Sequence, residues 1–460
     1  MQVGTAKPML WPIVEENRFQ ITWVHECLQA PRWQETMTNN YYEPREAVDP
    51  DDRERSLMQR LPDVLAHAGT HAPAIAKQLD QIDPQTITSR AALASIPVLR
   101  KSDLLSQQHA FRQDNDQRAG SERTTAFGGF STIGWGEALR VFASPGPIYE
   151  PEGARKDYWG FARALFAAGF RPQGLIHNCF SYHFTPAGSM METAGHALGC
   201  TVFPGGTGQT EQQVAAMVDL QPDGYTGTPS FLRIIVEKAE EMGIQLPVKR
   251  ALFSGEAFPP SLCAWFAKRG IVGYEAYGSA DLGMVAYETE AREGLVLNED
   301  MVLEIVRPGT SEPVADGEVG EVVITTFNPD YPLVRFGTGD LSAVLPGQSP
   351  CGRTNTRIKG WMGRADQTTK VRGMFVHPGQ VDQIVRRHPE ISKARLEIRG
   401  EMGNDTMVLK VVAPDSSPAL LNTVADTVRE LTKLRAQVEP AEPGSLPNDG
   451  KVIDDQRSYE

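Results

Sequence analysis

The 460-residue sequence predicts an α/β protein, with a large N-terminal domain of mainly parallel sheets plus a β-subdomain and a small α+β C-terminal domain. Three observations predict it. Helix-like and strand-like segments alternate from about residue 155 to residue 279, the order in which a parallel sheet is wound with helices on both faces. Residues 301–345 then break into short strands (MVLEIV, GEVVITTF, PLVRFGTGDLSAVL) separated by Gly, Pro and Asp. Finally, a chain of this length exceeds one ordinary core, and a second break falls at Gly363-Arg364-Ala365-Asp366. The expected division is an N-terminal extension over 1–44, a large domain over 45–365 and a small one over 366–460.

The elements follow in order. Asp49-Pro50-Asp51-Asp52 precedes a helical pattern with Leu57, Leu61, Val64 and Leu65 on one face. Residues 110–135 are polar and Gly-rich, which predicts a long loop near a site. Tyr158, Phe161, Ala162, Leu165 and Phe166 share a helical face. LIHNCF (175–180) and TVFP (201–204) are apolar strands flanking a helix over 187–198. Thr210 with Gln213 has the spacing of a capping box. GYTGT (224–228) is a strand end, and Pro229 suits the first turn of a helix closing at Gly243. ALFSG (251–255) and GYEAYGS (273–279) complete the run. Residues 370–460 mix α and β and end in a Pro/Gly-rich loop.

Composition narrows the class. Apolar residues make up 40% and charged residues 22%, ordinary for a globular protein. With 45 basic against 58 acidic residues the formal charge is −13, which argues against general nucleic-acid or membrane-surface binding. No apolar run reaches the roughly 18 residues of a membrane span, and the N-terminus does not read as a signal peptide. The five cysteines are scattered without a CxxC pair, which suits reduced thiols in a cytoplasmic protein.

In a parallel sheet, ligands sit at the carboxyl ends of the strands. The polar strand ends are therefore the candidate site: Ser181 to Thr185, Pro204 to Thr210, Thr228 to Ser230, Ser254 to Glu256 and Tyr277 to Asp281.

YPLVRFGTGDL (331–341), followed by GRADQTTKVRGMFVHPGQVDQIV (363–385), resembles the adenylate-forming (AMP-binding) acyl-CoA ligases, in particular their phenylacetate–CoA ligase branch. The likeness runs from roughly Tyr41 to Lys451. It includes YYEPRE, IPVLRKSDLL, AYGSADLG (276–283) and GLVLNEDMVLEIV (294–306). Several ordered motifs at familiar separations are more specific than any one alone.

The resemblance implies ATP-dependent activation of a carboxylic acid, aryl or arylacetic by default, through an acyl-adenylate, with transfer to CoA. ATP/AMP, Mg²⁺ and CoA are the implied cofactors, a small carboxylic acid and CoA the partners, and a homodimer is compatible with it. Asp340 would accept hydrogen bonds from the ribose hydroxyls, since a carboxylate offers only acceptors. Arg364 would reach the nucleotide with a fixed cationic fork. Asp366 matches the hinge of a mobile small domain. Lys451 matches the catalytic lysine that neutralises charge between carboxylate and α-phosphate. Ser254, Gly255, Glu256 and Ala257 resemble the adenine-side loop. Ala276, Tyr277, Gly278 and Ser279 resemble the segment that stacks the base, and Asp281 stands where a Mg²⁺-binding glutamate is usual. Tyr182, His183 and Phe184 match the aromatic segment beside the acyl pocket, to which Gly205, Gly206 and Ser230 would add walls.

One stretch departs from the pattern. The family holds the outer phosphates with a Ser/Thr/Gly-rich loop ending in Gly-Lys-Pro, and the aligned residues run from Phe142 to Pro151. Pro145 and Pro147 lack backbone donors, Tyr149 replaces glycine, and Glu150 replaces lysine. Two like charges at about 4 Å cost about 1 kcal/mol in water and about 4 near a protein surface. Two alternatives therefore stay open: acyl transfer to an amine or carrier protein, and a catalytically reduced AMP- or CoA-binding homologue.

Overall fold

The computed structural model describes residues 40–116, 125–307, 310–362, 365, 369–372, 374–376, 378–400, 405–414, 416–446 and 452–457. A large α/β body is followed by a smaller α+β unit.

In chain order the strands of the body are β1 (Leu99–Arg100), β2 (Arg140–Ser144), β3 (Ile148–Glu152), β4 (Leu175–Asn178), β5 (Thr201–Phe203), β6 (Gly224–Gly227), β7 (Arg250–Phe253), β8 (Val272–Ser279), β9 (Gly283–Glu288), β10 (Leu295–Leu297), β11 (Met301–Val306), β12 (Gly320–Thr326), β13 (Phe336–Ser342), β14 (Val344–Leu345) and β15 (Arg357–Ile358). Among the described residues the largest sheet has the order β14-β15-β10-β9-β8-β7-β6-β4-β5. Its half from β5 to β8 is parallel, and the rest is antiparallel. The parallel expectation thus holds where helices separate the strands. It gives way beyond β8, where a short turn reverses the chain.

A second sheet, β1-β13-β12-β11, contains the short strands expected over 301–345 except the last, β14, which joins the large sheet. Leu99 and Arg100 extend it by pairing in parallel with Phe336 and Gly337.

Local signals account for several elements. Asp49 caps the helix Pro50–His71 by accepting from the amides of Asp51 and Asp52. Its apolar stripe buries Leu57, Leu61 and Leu65. Thr228 caps the helix Pro229–Glu241, with Pro229 in the first turn.

Three expectations are corrected. The helix Lys101–Asp116 occupies the start of the region read as a loop from 110, because Leu104 and Gln108 bury one face of it. The helix near 158 begins only at Ala162: Gly160, at φ +76°, breaks the backbone after Tyr158 and Trp159, which are buried in the turn. The capping box of Thr210 and Gln213 does not form. Gln209 stands at the N-cap of Thr210–Leu220 without a side-chain cap, and Gln213 is drawn inward to a different task.

Downstream lie a two-stranded ribbon of β16 (Thr369–Val371) and β17 (Met374–Val376) and a sheet of β18 (Lys393–Arg399), β19 (Thr406–Val412), β20 (Gln437–Pro440) and β21 (Ile453–Asp455), in the order β20-β19-β18-β21. Helices Pro378–Arg387 and Pro418–Thr432 accompany it. Val371, Ile384, Leu396, Leu409, Val424 and Ile453 belong to an apolar core of its own.

Candidate functional site

Because β5, β4, β6, β7 and β8 run parallel, their carboxyl ends open along one edge of the sheet. Hydrogen bonds draw the following loops together. Asn178, buried at the end of β4, is a hub. Its Oδ1 accepts from Thr226 Oγ1 (3.0 Å) and the Phe180 amide (3.2 Å), and its Nδ2 donates to the Tyr182 hydroxyl (2.8 Å) and the Gly188 carbonyl (2.9 Å). Tyr182 is thereby held against the sheet. His183 and Phe184 turn outward: Phe184 is 81% exposed at φ +62°. The Phe184 carbonyl accepts from the Ala143 amide on β2 (2.8 Å).

Gln213 shapes the glycine loop. Its Nε2 donates to the carbonyls of Gly205 (2.9 Å), Gly206 (3.2 Å) and Gly208 (3.2 Å), while its Oε1 lies 2.6 Å from His177 Nε2. A Cβ on Gly205 would stand 2.6 Å from Gln213 Oε1 and 2.9 Å from His177 Nε2, so the loop needs glycine there. Burial depresses the His177 pKa and keeps the ring neutral. Burial pushes the neighbouring Cys179 thiol up to about 12, which rules it out as a nucleophile at neutral pH. Across the sheet, the Ser230 amide donates to Glu256 Oε2 (3.4 Å), joining the loops after β6 and β7. Ser254 is buried, Glu256 and Ala257 are half-buried, and Gly255 is exposed at φ +78°.

Ala276, buried, and Tyr277, Gly278 and Ser279, half-buried, form the end of β8. The Tyr277 hydroxyl donates to Asp340 Oδ2 (2.8 Å) and lies 3.3 Å from Thr338 Oγ1. Asp340 Oδ1 accepts from the Trp361 indole (3.0 Å), and Thr338 Oγ1 also receives the Asp340 amide (3.1 Å). Strand ends from two different sheets, 63 residues apart, thus place Tyr277 and Asp340 in contact. The Ala365 amide returns to the Gly339 carbonyl (2.6 Å), bringing the chain back beside Asp340. Arg364, Asp366 and Lys451 lie outside the described residues.

The turn from β8 to β9 carries Asp281. Ser279 Oγ accepts from the Leu282 amide (3.2 Å) and fixes that turn. Asp281 is 4% exposed; its Oδ2 is 2.8 Å from Lys101 Nζ, and its Oδ1 is buried without a partner. Glu150 lies close by. Rather than a loop, residues 140–152 form the hairpin of β2 and β3, closed by Pro145-Gly146-Pro147. Glu150 is fully buried, accepting from Ser144 Oγ (2.6 Å) at one oxygen, and its Oε2 has no partner. Burial, and next the charge of Asp281, push the Glu150 carboxyl well above the usual carboxylate range. These free oxygens are hard donors and fit a divalent cation such as Mg²⁺, which is held through one or two carboxylates plus substrate phosphates.

Known proteins resemble this chain in sequence and in fold. The model of the AMP-binding enzyme family matches residues 162–328. The phenylacetate–coenzyme A ligase of Aromatoleum evansii is 29% identical over 432 residues, covering 88% of this chain and 93% of that protein. The phenylacetate–coenzyme A ligase of Thermus thermophilus is 28% identical over 446 residues, covering 88% and 96%. Among solved structures, a 2-hydroxyisobutyryl-CoA ligase in complex with 2-HIB-AMP and CoA superposes with a TM-score of 0.75 at 23% identity, covering 91% and 93%.

The chain belongs to the AMP-binding, acyl-adenylate-forming superfamily. It is an enzyme of the acyl-CoA ligase family, close to the phenylacetate–CoA ligase-like branch. Within this acyl-CoA ligase frame, five residues to which sequence reasoning gave no role in the site prove central to the geometry. Asn178 and Gln213 hold the pocket loops, Thr338 and Trp361 orient Asp340, and Lys101 faces Asp281. Lys101, Asn178 and Thr338 stood inside the quoted segments IPVLRKSDLL, LIHNCF and YPLVRFGTGDL, but nothing there marked them as contact residues of the site. Tyr182, Gly205, Asp340 and Tyr277, which Asn178, Gln213, Trp361 and Thr338 touch, lie 4, 8, 21 and 61 residues away, with no pattern in sequence to mark them.

Proposed function

We propose that this enzyme uses ATP to convert a carboxylic acid into an acyl-adenylate and then passes the acyl group to CoA. The substrate carboxylate would attack the α-phosphorus and expel pyrophosphate. The CoA thiolate would then attack the acyl carbonyl and expel AMP. The contact that supports this reading most directly is Tyr277 against Asp340. A carboxylate already oriented by two donors keeps lone pairs for the ribose hydroxyls, and the ring of Tyr277 lies at the strand end where a base would stack. Ser254, Gly255, Glu256 and Ala257 would border the base, with Ala276, Gly278 and Ser279 below it.

Asp281 would hold Mg²⁺, whose chemistry is to neutralise charge on the phosphates and polarise the α-phosphate. Arg364 would contact the nucleotide, and Lys451 would meet the charge developing between carboxylate and α-phosphate. Asp366 would be the hinge between the two half-reactions, separating the large domain (45–365) from a mobile small one (366–460). Tyr182, Gly205, Gly206 and Ser230 would wall the acid pocket, with His183 and Phe184 at its outer rim. An aryl or arylacetic acid is the proposed substrate class, after the phenylacetate–CoA ligases to which the chain is similar. A cytoplasmic location belongs to the same proposal; among the described residues no helix is long and apolar enough to cross a membrane.

Acid-dependent exchange of labelled pyrophosphate into ATP tests the first half-reaction, and acyl-CoA formation the second. A panel of arylacetic, benzoic and short hydroxy acids should give exchange with at least one. The buried Glu150 hairpin favours one other reading, a homologue that holds AMP or CoA without turning over ATP. No exchange with any acid, together with AMP binding, would establish that reading instead.

A further inference from the structure

The positive charge missing from the β2–β3 hairpin has a candidate replacement. Three charged side chains from three separate elements lie within electrostatic reach of one another: Lys101 contacts Asp281, and Glu150 feels the charge of both. Lys101 opens the helix Lys101–Asp116, Glu150 lies in the middle of β3, and Asp281 sits in the β8–β9 turn. The arrangement is built from both sides. Gln108, seven residues after Lys101 and so on the same helix face, clamps the hairpin: its Nε2 donates to the Tyr149 carbonyl (2.9 Å), and its Oε1 accepts from the Tyr149 amide (3.0 Å). Arg100 pairs with Gly337, which sets Lys101 level with Thr338, the residue that touches Tyr277. The cluster and the Tyr277–Asp340 contact are neighbours in one site.

With both carboxyls ionised, two buried carboxylates against one ammonium leave one negative charge in excess, away from water. Without a cation, a proton on Glu150 relieves it. Each carboxylate also keeps one buried oxygen with no hydrogen-bond partner, Glu150 Oε2 and Asp281 Oδ1. An isolated buried carboxylate is costly unless it is protonated, paired or bound to a metal. A site carrying net negative charge also repels a polyphosphate. A divalent cation held by both free oxygens would reverse the sign, from −1 to +1, and satisfy both.

We propose that Glu150 and Asp281 together ligate one divalent cation of the Mg²⁺ or Mn²⁺ type, so that the metal takes over the task of the cationic side chain absent from the hairpin. Glu150 is then a metal ligand in the place of a phosphate-binding lysine. The role of the metal toward phosphates rests on the nucleotide reading above; the metal site does not. Lys101, paired with the other oxygen of Asp281, repels the cation and lowers its affinity.

The test is Mn²⁺ binding to the full chain without nucleotide, followed by the loss of the free-Mn²⁺ electron paramagnetic resonance signal, with Mg²⁺ as competitor. The expected result is one Mn²⁺ per chain, weakened about tenfold or more by Glu150→Gln and by Asp281→Asn, and displaced by Mg²⁺. Both variants are near-isosteric, and circular dichroism checks that they fold. Lys101→Met provides a variant of opposite sign: it should tighten Mn²⁺ binding, which damage to the fold would not do. AMP binding is followed separately by thermal shift. Unchanged Mn²⁺ affinity in Glu150→Gln, or no Mn²⁺ binding by the unmodified chain at millimolar concentration, would overturn the metal site even if AMP binds. Loss of AMP binding with Mn²⁺ binding intact would overturn the nucleotide reading and leave the metal site standing.

Discussion

The hydroxyl of Tyr277 donates to the carboxylate of Asp340 across 2.8 Å, joining the end of β8 to β13 of the other sheet. Asp340 is the side chain proposed to hold the ribose, so its removal should be felt by the nucleotide before anything else. Hydrogen bonds to a charged group contribute about 1.5–3 kcal/mol each. Asp340→Ala should therefore weaken AMP binding on the order of 100-fold, measured by isothermal titration calorimetry. Tyr277→Phe removes only the orienting donor and should cost about tenfold or less. Unaltered AMP affinity in Asp340→Ala would contradict the assignment.

A second prediction concerns the acid pocket. Gln213 binds three carbonyls of the glycine loop and His177 at once. Gln213→Ala leaves those groups without partners, at a cost of about 1–3 kcal/mol for a buried unsatisfied group. A fall in Tm should accompany a raised KM for the acid, with the KM for ATP little changed. Gly205→Ala should produce the same pattern by a different route, since its Cβ would collide with Gln213 and His177. A KM effect confined to ATP would show that this loop does not face the acid.

These two sites show what was legible before the fold was known. Tyr277 and Asp340 each lay in a recognisable motif, and the alternation of strands and helices around 175–279 was carried by local periodicity and by caps such as Thr228 with Pro229. Gln213 was misread because its spacing from Thr210 fits a capping box. The deciding partners, Gly205 and His177, are fixed by where the loop folds back over β4. Glu150 was legible as a substitution but not as a buried group. Lys101 and Asp281 are 180 residues apart, and only the packing of a helix against a turn of the other sheet brings them together. Local chemistry writes elements into a sequence; the encounter of distant side chains depends on topology.

A third prediction tests how β13 is anchored. Arg335 is fully buried at φ +45°. It makes a two-pronged pair with Glu304 at 2.9 Å on both prongs and donates to the carbonyls of Ala94, Ile96 and Ser311. Removing one partner of such a pair costs about 3–5 kcal/mol. Arg335→Met should lower Tm markedly and, because Arg335 leads directly into β13 and Asp340 lies five residues further on, weaken AMP binding in the protein that still folds. Arg335→Met combined with Glu304→Leu should recover only part of the Tm, since the three carbonyls remain unpaired. Full recovery would show that the ion pair alone matters there.

The last prediction is a pH dependence at the far side of β8. Glu275 is half-buried, and its amide donates to Glu288 Oε2 (3.1 Å), so the two carboxyls are neighbours. Burial first, and then the charge of Glu288, raise Glu275 to about 7 from its ordinary 4.5. In the unfolded chain it titrates near that ordinary value. Between the two the native state binds more protons than the unfolded one, so this group lowers stability as pH rises from about 4.5 to about 7, and the loss then levels off. Glu275→Gln abolishes the titration. The variant should match the parent near pH 4 relative to its own profile and gain on it at pH 8, by about 1–2 kcal/mol after allowance for partial exposure. Tm measured at pH 5 and pH 8 for both proteins reads the difference. A parallel displacement of the two profiles, with no change in slope, would mean that Glu275 does not titrate in this window.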